Sequence, residues 1–465
     1  MIDKLGEKLT HLFLKYMPNS FVFAILLTFI TALTAFLWLG ATPIKIITSW
    51  YDGFFDLLAF AMQVVLIIIT GFSIALSPII KRGIDSFALH ISSPKQVYFL
   101  VVLIGLLLTI VSFGWVVITC VLARELALRV KGVNYPFLIG CVYISSGIWV
   151  TGFSSSIPLL LNTEDNFLIK SGVLTEVIPT AYTLESTLNI AMIITLLVVT
   201  PLMLVLLRPS KAQNKEITDL MIVKETSHTP TIEEEALDLK LPFKSYSDIL
   251  NNSKILPLIL VIMGFIYIIS HFITKGFDLN FNIMIFIFII MGLLMHRTPM
   301  RYVISMKKAS GNISGILFQY PFYAGIMGMM LYTGLGEKIG QILASQASVN
   351  SYPFFAYLTG AIVNFAIPSA GGEFAVVGPS IINAVKEIGS GLPTETVTAM
   401  ISRASLSVAY GESLSNLLQP FYLLLVLPIM AAGIKIQARD VMGYLVLPFV
   451  ILFIIQSVLV SFCPL

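Results

Sequence analysis

The residues of this chain with chemistry to offer are two carboxylates and a set of glycine and serine clusters, all inside or beside long apolar runs. Glu373 and Glu412 sit where an ionised carboxylate is expensive unless it is paired or neutralised. Each could take up a proton, hold Na+, or pair structurally with a backbone amide or with Arg403. Four short stretches interrupt the same runs: Ser112-Phe113-Gly114, Gly152-Phe153-Ser154-Ser155-Ser156, Pro368-Ser369-Ala370-Gly371-Gly372 and Gly411-Glu412-Ser413-Leu414-Ser415. Glycine permits the backbone angles a broken helix needs. Serine can turn its hydroxyl to an anion or a cation. Small residues also let helices pack closely, but two matched pairs of breaks favour a binding site.

Enzyme chemistry finds little support. The histidines, His11, His90, His228, His271 and His296, all lie at or near loops, so none can act as base for Ser154 or Ser413. Gly-x-Ser-x-Ser is not a nucleophile elbow. No His-Glu-x-x-His and no Gly-Lys-Ser phosphate loop is present. Cys120, Cys141 and Cys463 form no Cys-x-x-Cys pair, which argues against a disulfide framework or a metal centre. No cofactor is expected.

The elements that position these residues follow from composition. The 465 residues are 57% hydrophobic and 11% charged, against about 25% charged in soluble domains. Lipid must therefore cover much of the surface. A spanning helix needs about 20 apolar residues, and long continuous runs rather than short alternating segments exclude a β-barrel. Apolar spans fall near 20–40, 57–80, 97–122, 137–161, 187–207, 254–274, 281–296, 313–333, 352–385, 396–432 and 441–461. The expected fold is an all-α membrane protein of about 9–11 transmembrane helices. The run after Lys4, Lys8 and Lys15 lacks a cleavage-site pattern and reads as a retained first helix. The net charge of +3 lies in loops and points to no nucleic acid.

Loop charge sets the topology. Lys81, Arg82 and Lys95, then Arg124, Arg129 and Lys131, flank the 97–122 run on both sides. If both flanks are cytoplasmic, that run enters and returns, breaking at Ser112–Gly114. The 352–385 run, broken at Pro368–Gly372, then forms a second re-entrant hairpin of opposite sense. The acidic 162–186 loop reads as external, and the N-terminus as cytoplasmic. Gln63 and Gln319, Ser112 and Gly371, and Gly152 and Gly411 recur at a nearly constant offset, which predicts an inverted repeat. The expected organisation is a first membrane repeat over 1–207, a charged cytoplasmic linker over 208–253, a connecting helix over 254–280, and an inverted second repeat over 281–465.

Inverted repeats with broken helices are the architecture of secondary carriers, with binding near the midplane. The candidate residues for a small organic anion are Ser112, Gly114, Gly152, Ser154, Ser155, Ser156, Ser369, Gly371, Gly372, Ser413 and Ser415. Those for a coupling ion, H+ or Na+, are Glu412, Glu373 and Asn364, with Na+ also possible at Ser154 and Ser413. Asn364 and Gln419 read equally well as helix–helix hydrogen bonds. Arg403 either attracts a carboxylate or snorkels to the interface.

At these residues the chain resembles the short-chain fatty acid transporter family. The blocks are Asp52 to Gln63, Ala123-Arg124-Glu125, Gly152-Phe153-Ser154 with Pro158-Leu159-Leu160, Phe318 to Ile326, Asn364 to Ser369, and Ala409-Tyr410-Gly411-Glu412 with Gln419-Pro420-Phe421. The resemblance implies a symporter of short-chain carboxylates such as butyrate or acetoacetate in the inner (plasma) membrane, working as a homodimeric elevator. A dicarboxylate, citrate or amino-acid carrier of the same superfamily, or an anion channel, are the alternatives.

Overall fold

The computed structural model describes residues 20–88, 91–209, 215–221, 231–240, 243, 245–311, 314–365, 367, 369–419, 423–431 and 433–464. Among these the chain is almost wholly helical, and the one β contact is an isolated bridge between Met221 and Ile434.

The first helices among the described residues are α1 (Ser20–Leu39) and α2 (Pro43–Gly53). Seven helices follow: α3 (Leu58–Ala75), a short α4 (Pro78–Ala88), the pair α5 (Pro94–Val111) and α6 (Val116–Arg129), the broken pair α7 (Tyr135–Ser146) and α8 (Ser156–Leu161), and α9 (Thr187–Leu206). A polar stretch carries α10 (Ile232–Asp238), after which come α11 (Ile255–Lys275), α12 (Phe281–His296) and α13 (Pro299–Ser310). A second series then has the same order: α14 (Ser314–Tyr332), a short α15 (Leu335–Gln346), the pair α16 (Tyr352–Val363) and α17 (Ala370–Ile388), the pair α18 (Thr394–Ser415) and α19 (Leu423–Met430), and α20 (Val446–Phe462).

Five helical stretches among the described residues are long and apolar enough to cross a membrane, and four shorter apolar helices accompany them. The α11 stretch is the least buried of the five, which suits a helix facing lipid on most sides. In the stretch from Tyr135 to Leu161, 89% of the most apolar window is buried, so the first broken helix is packed on nearly all sides. α5 packs on α7 and α9, and α16 packs on α18 and α20 in the corresponding way.

Polar contacts gather the loops into two groups. In one, Gly132 N–H donates to the Glu216 carboxylate at 2.8 Å, Lys435 N–H donates to Leu220 O at 2.8 Å, and Glu233 and Glu235 pair with Arg301 and Lys308 at 2.8 and 2.6 Å. In the other, Asn162 donates to Asp278 at 2.7 Å, Thr180 to Phe277 O at 2.8 Å, and Tyr182 to Glu395 at 3.2 Å.

Candidate functional site

The first break is formed by Ser112, whose extended backbone (φ −153°, ψ 132°) ends α5. A 3-10 turn over Phe113–Trp115 leads into α6. The second break stitches onto it. Phe113 N–H donates to Ser154 Oγ at 3.0 Å, and Phe153 N–H donates to Ile110 O at 2.8 Å. Gly152 permits this, because a Cβ there would collide with the Ile110 carbonyl. Gly114 likewise lies against α3, where a Cβ would stand 2.7 Å from Phe72 N. Ser154 therefore orients the first hairpin through its backbone. Ser155 Oγ donates to Val150 O at 2.6 Å, while the buried hydroxyls of Ser112 and Ser156 have no partner among the described residues.

The second hairpin breaks between Asn364 and Ser369, of which Ala366 and Pro368 lie outside the described residues. Gly371 and Gly372 were expected within this break, but both fall in the first turn of α17. Their small size serves packing instead. A Cβ on Gly371 would lie 2.8 Å from the Tyr320 hydroxyl, and one on Gly372 would lie 3.0 Å from the Tyr323 ring. Ser369 Oγ approaches the Tyr320 hydroxyl at 3.4 Å.

The fourth break also differs from the expectation. Gly411, Glu412, Ser413, Leu414 and Ser415 are all helical and end α18. The chain leaves the helix through a 3-10 turn over Asn416–Leu418 and becomes extended at Gln419 (φ −130°, ψ 149°). Gly411 is a close-approach residue, since a Cβ would strike the Tyr357 carbonyl of α16. The sequence holds a signal for the true position. Pro420 disfavours helix at Gln419.

Asn416, absent from the candidates above, is the hub of the site. Its side-chain amide donates to Glu412 Oε1 at 3.1 Å. Its Oδ1 accepts from Asn364 Nδ2 at 2.9 Å and from Gln419 Nε2 at 2.8 Å. Asn364 also donates to Ser415 Oγ at 2.7 Å, and Gln419 to Asn364 O at 3.2 Å. Ser415 Oγ in turn donates to Glu412 O at 3.0 Å. Asn364 and Gln419 thus make inter-segment hydrogen bonds within the same network as Glu412.

Ser413 Oγ donates to Gly147 O at 2.6 Å and so ties α18 to the first broken helix. Beside this bond is a cavity of about 10 Å³ lined by Phe113, Tyr143, Gly147, Trp149, Ser413 and Asn416, among others. It has room for roughly one water molecule or monatomic ion. Asn416 lines this cavity together with Phe113 of the first hairpin and bonds Asn364 of the second.

Glu373 and Glu412 are fully buried. Both oxygens of Glu373 and Oε2 of Glu412 have no hydrogen-bond partner among the described residues. Nor does any cluster of three His, Cys, Asp or Glu side chains suited to a metal occur among them. Arg403 does not pair with either carboxylate in the structure. It directs Nε and Nη2 to Val460 O at 3.2 and 2.8 Å. Gln63 donates to Asn282 at 3.0 Å and Gln319 accepts from Tyr323 at 2.9 Å, both packing contacts.

The family model described as short chain fatty acid transporter matches residues 1–463. A protein of Escherichia coli (strain K12), provisionally named a short-chain fatty acid transporter, is 35% identical over 446 residues, covering 96% of both chains. A counterpart of the same provisional name from Haemophilus influenzae is 32% identical, again covering 96% of both. Two solved structures share the fold at 15% identity. They are the YdaH transporter of Alcanivorax borkumensis (TM-score 0.56, covering 96% of this chain and 98% of that one) and MtrF of Neisseria gonorrhoeae (TM-score 0.53, covering 96% and 95%).

Proposed function

The chain belongs to the short chain fatty acid transporter family, and from that premise we propose that it is a secondary active carrier of short-chain carboxylates, with H+ or Na+ as coupling ion. The observation that carries this reading is Glu412. Its carboxyl is buried and only half bonded, in a network with Asn364, Ser415 and Asn416, and its partner Asn416 lines a cavity of monatomic size. A carboxylate at that depth is expensive without a counter-charge. A proton or a metal cation supplies one, and that charge can balance the charge of a travelling anion. Glu373 is a second such group. The unpaired hydroxyls of Ser112 and Ser156, and Ser154 and Ser413 at the stitched breaks, are the groups proposed to meet the substrate or a Na+.

The repeated order of elements, with α3 to α9 matched by α14 to α20, supports an inverted repeat with two re-entrant hairpins. The basic segments 124–131, 297–308 and 435–439 each lie against described parts of the acidic linker, and the positive-inside rule makes that group of loops cytoplasmic in an inner (plasma) membrane. From the family resemblance we carry over a homodimer working by an elevator movement.

The test is uptake of labelled butyrate by the purified protein in liposomes, with an imposed pH or Na+ gradient. Accumulation driven by one gradient, with counterflow in its absence, is expected. Conductance that never saturates would make the protein a channel, and saturable uptake of citrate or a dicarboxylate without butyrate would replace the substrate class.

A further inference from the structure

A second cavity, of about 540 Å³, opens between the segment that carries Tyr182 and the first turn of α18, which carries Glu395, far along that helix from Glu412. Arg403 precedes Glu412 by nine residues, about 13 Å of helix. The volume lies within the range of small-molecule pockets. Its floor is formed by half-buried Arg403 with buried Leu188 and Leu406. Its rim carries the exposed carboxylates Glu185 and Glu395. The Arg403 guanidinium spends Nε and Nη2 on one carbonyl, Val460 O. A guanidinium has five N–H donors, so it retains capacity for an anion. The rim carboxylates are held in place by hydrogen bonds. Tyr182 donates to Glu395 Oε1 at 3.2 Å, and Thr180 to Glu185 Oε1 at 3.1 Å.

We propose that this cavity is a separate binding site for short-chain monocarboxylates that selects against dianions before the deep site is reached. The proposal rests on the carboxylate-carrier reading above. The acid's one carboxylate bonds to Arg403, and its alkyl chain lies along Ala181, Pro393 and Ala399. A dicarboxylate of similar length puts its second charge at the rim, against Glu185 and Glu395. Two carboxylates against one guanidinium leave an excess of negative charge there, which acts as the repulsive element that specificity requires.

The probe is a cysteine at Thr396, which lines the cavity, in a Cys463→Ser background; Cys120 and Cys141 are buried. The rate of alkylation of the purified protein by a charged thiol reagent is measured with butyrate or succinate present. Butyrate is expected to slow alkylation several-fold and succinate to have no effect. In Glu185→Gln/Glu395→Gln, both exposed positions, succinate should protect as well, with its apparent affinity rising about fivefold, the scale of an interaction between solvent-exposed charges. No protection by butyrate, or equal protection by succinate in the parent protein, overturns the proposal. Labelled-butyrate uptake by the same preparation separates the two readings. Uptake without protection removes this site alone, and protection without uptake removes the carrier reading alone. Neither uptake nor protection removes both.

Discussion

Glu412 accepts one hydrogen bond, from Asn416, and has a second oxygen without a partner. A glutamine at this position keeps an amide oxygen for Asn416 but can neither bind a proton nor carry charge. Glu412→Gln should therefore melt within about a degree of the parent protein and yet lose gradient-driven butyrate uptake. Near-normal coupled uptake by that variant would reduce Glu412 to a helix-end hydrogen-bonding group. Asn416→Ala has the opposite profile. It leaves Glu412 Oε1 unbonded and strips one acceptor each from Asn364 and Gln419, and a buried polar group left without its partner costs about 1–3 kcal/mol. A clear fall in melting temperature is expected, and an unchanged one would mean the network is not holding the break. Glu412, Asn364, Ser154 and Ser413 stood out in the sequence because a polar group within an apolar run is conspicuous. Asn416 did not, because it lies one residue past the Gly411–Ser415 cluster, outside the pattern that the repeat picks out.

At the scale of elements, two glycines that look alike in sequence do different work. Gly411 is where α18 meets the Tyr357 carbonyl of α16, whereas a Cβ on Gly83 in α4 would meet nothing within 4 Å. Gly411→Ala must push two backbones apart, and overpacking of this kind costs typically about 1–3 kcal/mol. Gly83→Ala removes only unfolded-state freedom from a helical position and should stabilise by about 0.5–1 kcal/mol. Apparent melting temperatures of the pair should therefore move in opposite directions, and a shared direction would contradict the contact at Gly411. The breaks at Ser112 and Gly152 were legible because glycine and serine interrupt apolar runs there. The fourth break was misplaced by a few residues because Gly411 and Ser415 are used for close packing, a purpose that the same residue types serve. The short helices α2, α4, α13 and α15 were not legible as elements. Each is only 11 or 12 residues long and mixes polar with apolar positions, so a search for continuous apolar spans passes over them.

At the scale of the whole molecule, the grouping of loops converts a charge argument into a geometric one. Lys131, Arg301, Lys308 and Lys435 are basic positions scattered along the sequence, and charge alone assigned them to one side. In the structure the acidic linker makes contacts at or beside each of them: Glu216 with Gly132, Glu233 with Arg301, Glu235 with Lys308, and Leu220 with Lys435. The 162–186 loop belongs to the other group, through Asn162, Thr180 and Tyr182. Asp238 and Glu176 are exposed members of the two groups. In intact cells, with Cys463 replaced by Ser, a membrane-impermeant thiol reagent should label Glu176→Cys and leave Asp238→Cys untouched until the membrane is opened. Labelling of Asp238→Cys alone would invert the protein in the membrane while keeping the two groups on opposite sides. Labelling of both from outside would break the grouping itself. The inverted repeat would fall with it, because the first hairpin is re-entrant only if the segments around Lys95 and Lys131 emerge on the same face.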